Sequence, residues 1–218
     1  MNKFAGTSSK KKPKKGRKKE SGSGFDLVKD ILFHIPPEID NFGFYFRLAI
    51  YAVMIFWGLK FIFSPMAGNY AGRSILHLVN LPFHEAGHIF FGFFGEFIRS
   101  LGGSLGQLLM PLICLFTLLL KTRDTFGSAV CLWWFGENFL DIAPYMNDAN
   151  KLTMPLLGGN TGSSAPYGFH DWEYILTESG LIKHTDILAN GTFGLGVIIM
   201  MLSFVWGGYL LIKQYQFK

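Results

Sequence analysis

The run GFYFRLAIYAVMIFWGLKFIF, Gly43 to Phe63, decides the fold. A helix needs about 20 apolar residues to cross the hydrocarbon of a bilayer, and this run supplies them. Its only charges, Arg47 and Lys60, lie near its ends, where long basic side chains reach back to the interface. Four further runs approach the same length: Ser74 to Gly95, Leu101 to Leu120, Phe126 to Met146 and Phe193 to Ile212. The expected fold is all-α, a polytopic membrane bundle of about five transmembrane helices with short interfacial helices beside them.

Composition agrees. Half of the 218 residues are apolar, 23 are phenylalanine and only 16% are charged, against about 25% in soluble domains. The formal charge of +5 is unevenly placed: residues 1–24 hold nine of the twenty Lys and Arg and a single acid, Glu20. This segment, KKKPKKGRKKESGSG at its centre, has no apolar face to bury and reads as a disordered polybasic tail. It marks the cytoplasmic side by the positive-inside rule, and it attracts anionic lipid headgroups. Nucleic acid is the weaker partner, because no folded basic surface follows. The first 24 residues lack the apolar core of a signal peptide. Cys114 and Cys131 sit within apolar runs, give no disulfide framework or CxxC spacing, and read as packing residues.

Residues 25–42 form an expected interfacial helix, FDLVKDILFH, and a turn at Pro36-Pro37. Residues 43–146 form the membrane core, 147–192 a polar loop, and 193–218 the last span. Within the loop, Asp171 of HDWEYILTES is expected to cap a helix that Gly180 ends, with Trp172 at the interface. Five spans leave the C-terminus outside. Arg99 then falls on the inner side, whereas Lys121 and Arg123 fall on the outer.

The second run contains LPFHEAGHIFFGFF, Leu81 to Phe94, with His84, Glu85 and His88 at its centre. Ionisable groups in a membrane are costly and mark function by default. Histidines four apart project from one helix face and can reach one ion. Imidazole is a good zinc ligand, and the glutamate beside the first histidine can act as general base. Zinc lowers the pKa of a coordinated water toward ~7. Ala86, Gly87, Gly92 and Gly95 are small enough to permit close helix approach. Catalytic zinc takes a third protein ligand. The candidates are Glu137, Asp141, Asp148, His170 and Asp171. Glu137 needs no chain break to approach the histidines. His170, after the glycine-rich LLGGNTGSSAPYG, could be a ligand or an oxyanion donor. His34, His77 and His184 show no partner pattern and read as surface or interface residues. Gln107 is a buried polar group that bonds across helices or lines a cavity.

HEAGH in one span, followed two spans later by Asn, Pro and Asp in NFLDIAPYMNDA, resembles the site-two proteases. These are intramembrane zinc metallopeptidases with HExxH on one helix and N-x-x-P-x-x-x-L-D-G on a later one. The resemblance implies that His84 and His88 bind zinc, that Glu85 is the base and that Asp148 is the third ligand. It also implies that Asn138 binds substrate or the oxyanion, and that the substrate is a membrane-tethered protein or peptide. GGSLGQLLMP, PYMNDA and HDW mark a divergent bacterial family, with an inner-membrane location. For Asp148 to reach the histidines, Pro144 must break the fourth run and let Tyr145 to Asp148 fold back. That backbone must line a water-filled cavity, expected toward the cytoplasm. Two alternative readings are a catalytically silent metal-binding scaffold and a divalent-metal transporter.

Overall fold

The computed structural model describes residues 23–36 and 40–216. The polybasic tail therefore lies almost wholly outside the described residues. Those described are all-helical, with no strand and one isolated bridge between Pro155 and Thr161. The helices are α1 (Gly24–Leu32), α2 (Asn41–Phe63), α3 (Ile75–Phe91), α4 (Glu96–Thr117), α5 (Thr125–Asn147), α6 (Asp171–Glu178) and α7 (Thr185–Gln216). Short polar side chains start most of them. Ser23, Asp40, Ser74 and Asp124 each accept a backbone N–H of the first turn, satisfying donors that a helix start leaves free.

Three stretches are long and apolar enough to cross a membrane: α2, Glu96–Thr122 and Ile182–Gln216. The other two expected spans differ from these for physical reasons. α3 has 17 residues and carries the HEAGH polar groups and Pro82. α5 has 23 residues, but it carries Glu137, Asn138 and Asp141, all buried, and most of its surface is covered by neighbours. The last span begins eight residues earlier than expected, at Thr185 rather than Phe193. Pro144 does not break α5, which continues to Asn147, so the expected fold-back of Tyr145 to Asp148 does not occur.

Contacts between helices fix their directions. Along α5 and α7, Ala129 lies by Gly207, Gly136 by Met200 and Leu140 by Gly196, so these two are antiparallel. Along α2 and α7, the Phe44 ring meets Tyr215 and the Tyr51 hydroxyl donates to the Phe204 carbonyl at 3.0 Å. Near the α4–α5 junction, Ser128 Oγ donates to the Leu115 carbonyl, and further along Gln107 donates to Asn138. Thus α2 and α5 run one way, and α4 and α7 the other.

One end of the bundle therefore holds α1, the start of α2, the α4–α5 junction and the end of α7. Arg47 bonds Asp124 at 3.2 Å, Arg123 bonds Asp30 at 2.7 Å, and Trp206 Nε1 donates to the Leu32 carbonyl at 2.9 Å. The C-terminal end of α7 thus lies beside α1, and not at the far end as five passes require. The loop 148–184 occupies the opposite end.

Met54, Phe61, Trp133, Leu140, Met200 and Phe204 form the main core between α2, α5 and α7. Cys131 packs as a free thiol beside Leu115 and Leu119. α3 lies on α4 through glycines: a Cβ at Gly102 would stand 2.8 Å from the Gly87 carbonyl oxygen, and one at Gly106 would stand 2.9 Å from the Gly87 Cα. Close backbone approach of this kind is what drives helix pairing in lipid, where apolar burial gives no net gain. Of the small residues on the HEAGH run, Gly87 serves this contact. Gly95, at φ +98°, instead turns the chain into α4.

Candidate metal centre

His84 and His88 project from one face of α3 with ring centroids 4.8 Å apart. α4 faces them with Gly103, where a Cβ would stand 2.7 Å from Cε1 of both rings. The glycine therefore clears the space that the imidazoles fill. The third group to arrive is Asp171, the first residue of α6. Its Oδ2 stands 3.1 Å from His84 Nε2 and 3.4 Å from His88 Nε2, and the three ligand atoms lie within 4.8 Å of one another. Donors bound at ~2.0–2.1 Å to a tetrahedral ion are about 3.3 Å apart. Two neutral nitrogens and one carboxylate at this spacing fit zinc.

Backbone carbonyls determine which ring nitrogens are free. The Arg99 carbonyl can only accept, so His88 Nδ1, 2.8 Å away, carries hydrogen and its Nε2 is left as the ligand atom. For His84 the same logic passes through two carboxamides. Asn138 Nδ2 donates to the Trp134 carbonyl at 2.9 Å, which turns its Oδ1 toward Gln107 Nε2 at 3.2 Å. Gln107 Oε1 then faces His84 Nδ1 at 2.8 Å, and this nitrogen must donate. Both Nε2 atoms thus converge on Asp171, where each donates to its carboxylate or, on giving up that hydrogen, offers a lone pair to a cation. Such outer partners orient ligands and raise their basicity. Asn138 is fully buried behind Gln107 and does not line the cavity.

Asp171 takes the place that Asp148 was expected to fill. It is not the cap of α6: His170 is, its Nδ1 accepting the Glu173 N–H at 3.1 Å. Tyr145, in the last turns of α5, holds Asp171 from the other side. The Asp171 N–H donates to the phenol oxygen at 3.0 Å, and the phenol donates to Oδ2 at 3.3 Å. Burial pushes the Asp171 carboxyl up, but the two imidazoles together outweigh it and hold the group down at about 2. It is a carboxylate, as a cation requires.

Asp148 is occupied elsewhere. Its Oδ1 accepts from the Thr153 N–H and hydroxyl, and its Oδ2 from the Met154 N–H at 2.9 Å. His170 Nε2 stands 3.6 Å from the same Oδ2. Because His170 Nδ1 accepts a backbone hydrogen, this Nε2 carries the proton, and burial pushes the imidazole below its usual range. His170 is fully buried. It caps α6 and lies outside the group that His84, His88 and Asp171 form.

Glu85 lines a cavity of about 810 Å³ with His84, His88, Gln107, Tyr145 and Asp171. It is half-buried. Met154, Leu157 and Phe169 of the 148–184 loop also line the cavity, which places it at the end away from α1. Glu137 does not join the ligands. It and Asp141 share the Asn80 amide at 3.0 and 3.2 Å, and Trp134 Nε1 fixes that amide by donating to its oxygen. His77 is not a stray interface residue: its Nδ1 contacts both Asp141 oxygens at 2.9 and 3.1 Å. Asp171 is the hardest of the three to single out in the sequence, because an acid at a helix start reads as a cap. The signal was its place between a histidine and a tryptophan after a glycine-rich loop.

Comparison with family models, with curated proteins and with solved structures gives no match for this chain.

Proposed function

We propose that the chain is a membrane-embedded zinc metallopeptidase that hydrolyses a peptide bond of a membrane-associated protein or peptide. The observation that carries the reading is the convergence of His84 Nε2, His88 Nε2 and Asp171 Oδ2, with both Nδ1 atoms committed to fixed acceptors. Zinc held there would polarise the scissile carbonyl and acidify the attacking water. Glu85, adjacent to His84 and facing the same cavity, accepts the water's proton and returns it to the leaving nitrogen as the C–N bond breaks. The cavity meets substrates that diffuse within the bilayer, consistent with a site-two-like enzyme whose third ligand has moved to an HDW helix.

The remaining membrane argument is electrostatic. Basic residues favour the cytoplasmic side. The polybasic tail precedes α1, and Arg47, Lys121 and Arg123 lie at that same end. This end is therefore assigned to the cytoplasm, with anionic lipids as partners of the tail. The bundle crosses four times through α2, α4, α5 and α7, with α3 paired to α4 as a hairpin. The cavity then opens on the outer face of what the family resemblance implies is a bacterial inner membrane. This reverses the side expected from five passes.

Zinc content and cleavage of a membrane-tethered reporter, measured on purified protein, test the reading. One zinc per chain is expected. Glu85→Gln should keep the zinc and lose at least ~100-fold in kcat, the typical contribution of a general base. Undiminished cleavage by that variant, or protein without stoichiometric zinc, would end the proposal.

A further inference from the structure

Acyl transfer to water needs a donor for the oxygen that becomes negative, and removing one such donor costs ~100- to 1,000-fold in kcat. Asn138 is excluded because it lies behind Gln107, and His170 because it is buried against Asp148. Among the described residues, two side chains other than the ligands hydrogen-bond to the triad: Gln107 and Tyr145. Gln107 turns its oxygen to His84 and its Nε2 to Asn138, so the atom it presents to the ligands is an acceptor. The Arg99 guanidinium is tied to Glu96.

We propose that Tyr145 is the oxyanion donor of this site, an assignment that rests on the peptidase reading. Its oxygen is pinned from two directions. The Asp171 N–H donates to it at 3.0 Å, and its ring packs on His170 with centroids 4.3 Å apart. Its hydrogen is loosely used, because the contact to Asp171 Oδ2 is 3.3 Å, beyond the 2.5–3.0 Å typical of O–H···O bonds. That same Oδ2 is the atom both imidazoles approach. With Oδ2 committed to a cation held by the three ligands, the phenol hydrogen would be free to turn to a substrate oxygen while the phenol oxygen stays pinned. Tyr145 lines the cavity together with His84, His88 and Asp171.

The water oxygen forms a bond to the carbonyl carbon, and the carbonyl π pair moves onto its oxygen, which Tyr145 then hydrogen-bonds. The proton lost by water resides on Glu85. When the pair returns and the C–N bond breaks, that proton passes to the amine. Tyr145 keeps its own proton throughout.

Tyr145→Phe keeps the ring on His170 and deletes only the hydroxyl. On the zinc-loaded full chain, kcat for the reporter should fall ~100- to 1,000-fold with zinc content and KM nearly unchanged. A phosphonamidate analogue of the reporter should lose affinity by a similar factor. Full activity in this variant overturns the assignment. So does a zinc content that falls in step with activity in a folded protein, since Tyr145 would then serve only to position Asp171. Should Tyr145→Phe fail to fold, 3-fluorotyrosine at position 145 replaces it. The stronger O–H donor should change kcat with zinc content unchanged, and an unchanged kcat overturns the assignment. If Glu85→Gln is inactive while Tyr145→Phe is fully active, only this inference fails. If wild-type protein is inert, the peptidase reading fails and takes this one with it.

Discussion

Two backbone carbonyls, those of Trp134 and Arg99, set the hydrogen positions on both imidazoles before any ion arrives. One acts directly and the other through Asn138 and Gln107, so the ligands differ in how far their support extends. This ranking is measurable by zinc titration. His84→Ala, His88→Ala and Asp171→Ala each remove a donor and should abolish stoichiometric binding. Gln107→Ala removes an orienting partner and should weaken binding ~10- to 100-fold. Asp148→Asn should leave zinc stoichiometric, because its oxygens are used by Thr153 and Met154. Zinc lost from Asp148→Asn but kept by Asp171→Ala would reverse the ligand assignment.

Among elements, the pairing of α3 with α4 has the greatest leverage, because glycine spacing places α4 against the face that carries the histidines. Gly103 stands where a methyl would press on both rings. Overpacking of this sort costs about 1–3 kcal/mol, so Gly103→Ala should weaken zinc binding roughly 10- to 100-fold at 1.4 kcal/mol per tenfold. Gly191→Ala is the control, since nothing lies within 4 Å of a Cβ there. Equal zinc affinity in the two variants would show that α4 does not confine the rings. The short α6 delivers one ligand from a different part of the chain. His170, Tyr145 and Asp148 hold it there through side chains that HEAGH alone does not reveal.

For the molecule as a whole, the proposed four-pass arrangement moves Lys121 and Arg123 to the tail's side and Arg99 to the opposite one. Lys121 and Arg123 would fall outside in a five-pass chain, whereas here Arg123 bonds Asp30 of α1 at the tail's end of the bundle. Reporter fusions at the N- and C-termini should therefore report the same side of the membrane. A cysteine replacing Leu157, introduced after removing Cys114 and Cys131, should react with an impermeant thiol reagent from the opposite side. Termini on different sides, or labelling from the tail's side, would refute this topology.

Sequence alone determined what local composition and period can encode. These are the helical character of every run, the imidazole pair one turn apart with its glutamate, and the separateness of the basic tail. Helix spacing fixes which neighbours share a face, so HEAGH was legible at sight. Only tertiary structure brought Asp171 to the two histidines, set the directions of the helices and put the cavity at the end away from α1. Each depends on residues far apart in the chain. Asp171 lies 83 positions beyond His88, and hydrogen bonds with Tyr145 hold it beside both imidazoles. Hydropathy registers the length of a run and not its direction. The glycine contacts that fold α3 onto α4, and the carboxylates that α5 can carry because its neighbours cover it, were therefore decided only by packing.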